Sequence, residues 1–278
     1  MNPKGILYIC ATPVGNLEDI TLRALRILKE VDLIACEDTR VTQKLLNHFE
    51  IKTKLISYHK FSEKEKSSYL TELLNQGKSI ALVSDAGTPL ISDPGIELIK
   101  LAYENNLKIV PIPGASSVIT AVSVCYTAEL PFVFIGFLPK SIKDKEEILF
   151  KYSNINIIAF ESPNRLVKTL EELFKLQGNR YITVARELTK IYEEIKRDFT
   201  ENLIEYYTNK PPKGEIVLII EGQREENKIN TEELREKIRI LSQAGYSIKE
   251  LSKIISLLYG YPKNEIYESA IKSPKFNL

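Results

Sequence analysis

Chemical potential in this chain concentrates in Ser84-Asp85-Ala86-Gly87-Thr88-Pro89-Leu90-Ile91-Ser92-Asp93-Pro94-Gly95, which directly follows the apolar run Ile80-Ala81-Leu82-Val83. Loops outside the carboxyl ends of parallel strands are where open α/β sheets hold ligands. In this loop Gly87 lets a ligand approach the backbone closely, and Asp85 offers a carboxylate to a cationic or hydroxyl-bearing group. Asp93 reads differently. A carboxylate followed by proline is the pattern of a capped helix start, so Asp93 is expected to cap a helix. A second segment, Pro111-Ile112-Pro113-Gly114-Ala115-Ser116-Ser117, also follows an apolar run and opens a helix. Free N–H groups and small side chains there suit polar ligand atoms. Two such loops in one sheet point to a backbone-lined pocket.

Other chemistries find no support. The first loop, Ala11-Thr12-Pro13-Val14-Gly15-Asn16, has neither the GxGxxG nor the GxxxxGK[ST] pattern, which argues against a dinucleotide fold and a P-loop. His48 and His59 stand apart from any Cys or His at ligand spacing, and Cys10, Cys36 and Cys125 form no CxxC pair. No metal site and no hydrolytic triad is therefore expected. The cysteines read as small buried hydrophobes in a reducing compartment.

Positioning two ligand loops requires a sheet with helices around it. Short apolar runs at 6–10, 33–36, 79–83 and 107–110 alternate with helical stretches, one of them marked by Leu22, Leu25 and Leu28, in the manner of parallel α/β construction. A second set follows, with strands at 132–136, 155–160, 181–185 and 215–220 and helices at 165–176 and near 200–207. Beyond Glu221-Gly222-Gln223-Arg224 only helical periodicity remains. Leu234, Ile238 and Leu241 line one helix, and Ile248, Leu251, Ile254, Ile255 and Leu258 the next, which Ser247 and Glu250 open as a capping box. The expected fold is α/β: two consecutive domains, 1–128 and 129–223, and a small helical module at 224–278.

With 278 residues, 44% of them hydrophobic, the chain can bury two cores. Lys+Arg 38 against Asp+Glu 37 means that any nucleic-acid affinity must come from a local basic face. The amino terminus runs straight into a strand with no signal-peptide pattern, and no apolar run is long enough to span a bilayer, so a soluble cytoplasmic protein is expected.

Five segments in order carry a family resemblance: Ala11-Thr12-Pro13-Val14-Gly15-Asn16-Leu17-Glu18-Asp19-Ile20-Thr21, Glu37-Asp38-Thr39-Arg40, the 84–95 loop, Glu161-Ser162-Pro163, and Ala185-Arg186-Glu187-Leu188-Thr189-Lys190. Together they resemble the ribosomal RNA small subunit methyltransferase I family of the tetrapyrrole-methylase superfamily, from about residue 5 to 222 and more loosely in the tail. The resemblance implies an enzyme that uses S-adenosyl-L-methionine to methylate the ribose 2′-hydroxyl of a cytidine in the decoding region of 16S rRNA. Its partner would be that RNA or the small ribosomal subunit. The resemblance also implies a homodimer with the cofactor in a cleft between the two α/β domains. Around the cofactor it places Pro13, Ser84, Asp85, Ala86, Gly87, Thr88, Ile91, Ser92, Pro113, Gly114, Ala115 and Ser116, with Gly136, 185–186 and 213–215 closing the cleft. Asn164 departs from the family, where His is expected, and this removes support for imidazole chemistry there.

Methyl transfer to a hydroxyl needs the nucleophile in line with the methyl group and its proton removed or shared. The acids at expected strand ends, Glu37, Asp38, Glu161 and Glu187, are the catalytic candidates. For Asp38 with Arg40, and Arg186 with Glu187, the alternative is structural ion pairing. Arg40, Arg165, Arg186 and Lys190 are the RNA-binding candidates, since they lie in the motif segments and phosphate contacts supply affinity. Two other readings stay open: a tetrapyrrole-type or diphthine-type methyltransferase of the same fold, and a non-catalytic ribosome-assembly factor.

Overall fold

A computed structural model describes residues 3–222, 231–259 and 263–271. Met1, Asn2, Gln223 and Arg224, which figure in the expected amino-terminal lead-in and domain boundary, lie outside the described residues. The chain divides into a unit of residues 1–222 and a unit of residues 223–278.

Five strands, β1 (Ile6–Cys10), β2 (Leu33–Cys36), β3 (Leu55–Ser57), β4 (Ile80–Val83) and β5 (Lys108–Ile112), form a parallel sheet in the order β3-β2-β4-β1-β5. Side chains alternate between the faces of a strand, and a parallel sheet is covered on both faces, so β4 is apolar throughout. Ala81 and Val83 pack with Ala24, Ile27 and Leu28 of α1 (Leu22–Glu30) and Leu46 of α2 (Thr39–His48). Ile80 and Leu82 face the other way, onto Leu70 and Leu74 of α3 (Glu63–Asn75) and Leu98 of α4 (Ile96–Glu104). The loops leaving β1, β2, β4 and β5 thus gather at one end of the sheet.

Helix α5 (Ser117–Ser123) leads to a second sheet of β6 (Phe132–Phe137), β7 (Asn156–Glu161), β8 (Tyr181–Arg186), β9 (Glu194–Phe199) and β10 (Ile216–Ile220), in the order β6-β7-β10-β8-β9. This sheet is mixed: only β6 and β7 run parallel, and the other pairs are antiparallel. Residues 187–193 between β8 and β9 are too few for the crossover that parallel neighbours need. One face of this sheet packs on α6 (Ile142–Lys151), α7 (Leu166–Gln177) and α8 (Thr200–Asn209) through Leu149, Leu170, Leu203 and Leu218. Within this layer the fully buried Lys145 donates to Glu172 Oε2 at 2.6 Å. On the other face, Val217 and Ile219 of β10 receive Val118 and Ala121 of α5. Helix α5 therefore joins the first sheet's last loop to the second sheet's core.

The carboxyl-terminal unit has its own core. Leu234 and Ile238 of α9 (Thr231–Gln243), Leu251 and Ile255 of α10 (Ile248–Tyr259), and Ile266 and Ala270 of α11 (Lys263–Ile271) pack together. The capping box forms as expected, with the Ser247 N–H donating to Glu250 Oε2 at 2.9 Å and the Glu250 N–H to Ser247 Oγ at 3.4 Å. Leu258, expected on the apolar face, is exposed, and α11 is an addition to the two expected helices. Among the described residues no helix is long and apolar enough to cross a membrane.

Candidate active site

Three loops of the first sheet are laced by short-range polar contacts. Thr12 and Gly87 exchange backbone bonds at 2.8 and 3.0 Å, bridging the loop after β1 to the loop after β4. Thr12 Oγ1 donates to the Ser84 carbonyl at 3.0 Å, Ser84 Oγ to the Gly87 carbonyl at 2.9 Å, and Thr88 Oγ1 to the Ala115 carbonyl at 3.1 Å. Asp85 Oδ1 accepts the Asp38 N–H at 3.0 Å, tying in the start of α2. Gly114 belongs to the same lacing: a Cβ there would sit 2.9 Å from the Ala11 Cβ, closer than packed carbons approach, so the position admits no side chain without a shift.

Backbone strain marks the same region. Of six described non-glycine residues with positive φ, Leu90 (+70°) and Ser92 (+74°) lie in the loop after β4, and Glu187 (+50°) and Thr189 (+66°) in the turn after β8. Left-handed backbone costs such residues about 1–2 kcal/mol each and persists where surrounding contacts fix it. Opposite Ser92 the second sheet contributes Gly136, beside a register shift in β6 between Phe134 and Phe137; bulges of this kind recur beside functional sites.

Between the sheets lies a cavity of about 470 Å³, within the usual range for a small-molecule site. The first sheet supplies Val14, Glu37, Asp85 to Thr88, Ile91 to Asp93, and Ser116 with Ser117. The second supplies Phe137, Phe160 to Pro163, Ala185, Leu188 and Gly214 to Val217. Phe137 and Phe160 meet edge to face with centroids 5.6 Å apart, a rigid apolar wall. Carboxylates, small residues with accessible backbone and apolar walls suit a ligand that joins a cationic group, hydroxyls and a flat ring. Among the described residues no group of three or more His, Cys, Asp or Glu is arranged to hold a metal ion.

The carboxylates differ sharply in their surroundings. Asp38 caps α2, accepts the Arg40 N–H at 2.8 Å and grips the Arg40 guanidinium at 2.6 Å, which lowers its pKa to about 2. Glu161 is buried with both oxygens occupied, by the Ser162 N–H at 2.7 Å and Thr169 Oγ1 at 2.7 Å, and with Arg165 at 3.3 Å. Glu187 accepts Lys190 Nζ at 2.9 Å and the Glu215 N–H at 3.0 Å; the Lys190 hydrogen bond holds its pKa down. Three acids go the other way. Burial, then the charge of Asp85, raises Glu37; burial raises Asp85 despite the Asp38 N–H; burial, then the charges of Glu37 and Asp85, pushes Asp93 up to about 6.

Of the acids proposed from sequence, Glu37 and Glu161 line the cavity, whereas Asp38 and Glu187 do not. Asp85, Ala86, Gly87, Thr88, Ile91, Ser92 and Ser116 also line it; Pro13, Ser84, Pro113, Gly114 and Ala115 do not. Arg40, with its side chain 86% exposed, is clamped to Asp38. Arg165 donates to the Leu138 and Pro139 carbonyls, Arg186 pairs with Glu194, and Lys190 pairs with Glu187 and Glu215. A phosphate contact by any of these four requires an exchange of partners.

Asp93 is a correction. Helix α4 begins at Ile96 with Gly95 as its cap residue, and the capping carboxylate is that of Glu63, whose Oε1 accepts the N–H of Gly95 at 2.8 Å and of Glu97 at 3.2 Å. Asp93 instead faces the cavity. Sequence reasoning also missed Phe137, Phe160, Leu188 and Val217 as cavity walls, for ordinary apolar strand residues carry no mark of facing a ligand.

The profile of the family described as Tetrapyrrole (Corrin/Porphyrin) Methylases matches residues 6–204. A protein named Ribosomal RNA small subunit methyltransferase I from Halalkalibacterium halodurans is 43% identical over 273 residues, covering 95% of this chain and 94% of that one. Its namesakes from Haemophilus influenzae and Rickettsia prowazekii are each 44% identical, covering 95% of both chains in the first case and 98% of both in the second. Among solved structures, the methyltransferase CobJ matches with a TM-score of 0.61 at 16% identity, over 79% of this chain and 95% of that one. A diphthine synthase matches at 0.57 and 15%, over 78% and 90%. At such identities the structural likeness is one of fold.

Proposed function

The chain belongs to the ribosomal RNA small subunit methyltransferase I family, within the tetrapyrrole methylases, and on that premise we propose that it methylates 16S rRNA. The methyl donor is S-adenosyl-L-methionine, and the acceptor is the ribose 2′-hydroxyl of a cytidine in the decoding region. The enzyme acts in the cytoplasm as a homodimer, on the RNA or on the small ribosomal subunit. The observation that carries this reading is 43–44% identity across nearly the whole chain with proteins named for small-subunit rRNA methylation.

The cavity fits such a donor. When bound, S-adenosylmethionine supplies a methyl group activated by its positive sulfur. The accessible backbone of residues 85–88 and 116–117 would hold its polar parts, and Phe137, Phe160, Leu188 and Val217 would wall its ring. The Thr12–Gly87, Ser84 and Thr88 contacts fix those loops before the ligand arrives, so that little order remains to be imposed on binding. The anionic cavity attracts a cationic donor and repels phosphates, which leaves the RNA backbone to exposed basic side chains outside it.

Mapping 2′-O-methyl groups in small-subunit rRNA from a strain lacking the protein and from its complemented partner tests the reading. A decoding-region cytidine methylated only in the complemented strain is expected. Identical maps would remove the ribose 2′-hydroxyl from consideration and favour a macrocycle or a protein side chain as acceptor.

A further inference from the structure

We propose that Asp93 is the proton acceptor for the attacking hydroxyl, an inference that rests on the methyl-transfer reading above. Four observations converge on it. Asp93 lines the cavity, at the end of the strained turn that carries Leu90 and Ser92 with positive φ. Glu63 occupies the capping site at the start of α4, so the Asp93 carboxylate is free of the role its Pro94 neighbour suggests. Among the described residues none donates a hydrogen bond to it, whereas Asp38, Glu161 and Glu187 are all engaged by donors. Finally, Asp93 is half-buried, whereas Glu37, the other cavity acid with no hydrogen-bond donor among the described residues, is the more exposed of the two.

An unpartnered, half-buried carboxylate destabilises a fold unless something else selects it. Here the surroundings make it a better base. The charges that act on it are those of Glu37 and Asp85 from the first sheet; the second sheet adds to the same cavity Glu161, held by Arg165, and Glu215, held by Lys190. Burial first, and then the like charges of Glu37 and Asp85, push its pKa up to about 6. A base of that strength is mostly ionised at neutral pH yet binds a proton more tightly than an ordinary carboxylate does.

The step balances. The 2′-oxygen forms a bond to the methyl carbon as the carbon–sulfur bond breaks and its electron pair goes to sulfur, and the hydroxyl proton passes to an Asp93 oxygen. One positive and one negative charge disappear together. A cavity that solvates ions poorly favours that outcome over one that leaves a proton on the product oxygen.

The test compares wild type, D93N and E37Q in three measurements: methyl transfer to small ribosomal subunits against pH, calorimetric binding of S-adenosylhomocysteine, and carboxyl titration by NMR. In wild type, kcat should rise with pH to a plateau, with an inflection near the Asp93 titration. D93N should bind S-adenosylhomocysteine within about threefold of wild type while kcat falls about 10²–10³-fold, in the range for loss of a general base, and the inflection disappears. E37Q should keep an inflection, moved to lower pH because a like charge has gone. Retained kcat and inflection in D93N would overturn the assignment, as would a loss confined to ligand binding. An inflection abolished by E37Q and kept in D93N would transfer the role to Glu37. A wild type that binds S-adenosylhomocysteine but never methylates small subunits would overturn the acceptor reading, and the base with it.

Discussion

Replacing Asp93 by Asn should stabilise the ligand-free protein, and the gain should depend on pH. The carboxylate is half-buried, lacks a hydrogen-bond donor and faces Glu37 and Asp85, which together move its pKa from 3.8 to about 6. A tenfold change in proton affinity is worth about 1.4 kcal/mol, so ionised Asp93 weakens the fold by about 3 kcal/mol before solvent screening. Partial exposure reduces the expected gain to about 1–2 kcal/mol. Because the folded-state pKa lies above the unfolded one, the penalty is absent below about pH 4, grows as pH rises and is complete above about pH 6. Near pH 8 D93N should therefore melt higher than wild type, by ~2–4 °C for each kcal/mol, and the two melting points should converge toward about pH 4. Thermal denaturation followed by circular dichroism across that range is sufficient. A D93N protein less stable than wild type by the same amount at every pH would refute the reasoning, since it would mean that the carboxylate makes a stabilising contact.

Three further outcomes follow from particular contacts. Gly114→Val should weaken S-adenosylhomocysteine binding at least about tenfold, by driving Ala11 and the Thr12–Gly87 bridge out of place; calorimetry checks this, and unchanged affinity would count against the lacing. Lys145→Ala should lower stability to denaturant by about 2–3 kcal/mol, somewhat below the range for a fully buried ion pair because Glu172 keeps slight exposure and Lys168 at 3.9 Å. In the carboxyl-terminal unit Arg239 is paired with Glu236 and Lys237 sits over the Tyr259 ring, whereas Arg235, Lys249 and Lys253 on α9 and α10 are exposed and open to test. Reversing those three charges should lower RNA affinity and flatten its salt dependence while S-adenosylhomocysteine still binds; an unchanged salt slope would assign the unit a structural role only.

How much of this was legible in the sequence depended on whether the determining contact is local. Strand β4 and its loop were readable because four apolar residues covered on both faces leave an unbroken run, and the Ser247–Glu250 box because its two partners are three residues apart. Asp93 was misread because its local pattern is a good helix start, and the residue that displaces it, Glu63, lies 32 positions before Gly95. Strand β9 was not expected, since an edge strand reading Glu-Ile-Lys-Arg-Asp-Phe shows little apolar alternation; its charges suit an edge that must not pair further. Strand direction in the second sheet was beyond reach of periodicity, which is the same for parallel and antiparallel neighbours. The contacts that engage Arg165, Arg186 and Lys190 include partners from other strands and loops, Leu138, Glu194 and Glu215, and motif position alone made all three look available for phosphate.

The most direct measurement of the proposed reaction follows a labelled methyl group to its acceptor atom. Small ribosomal subunits from cells lacking the protein are incubated with it and methyl-labelled S-adenosylmethionine, and the RNA is digested to nucleosides and resolved by mass spectrometry. Label in 2′-O-methylcytidine from 16S rRNA is the predicted result. Label in a methylated base or in another RNA, or none in subunits alongside transfer to a tetrapyrrole or a protein side chain, would contradict it.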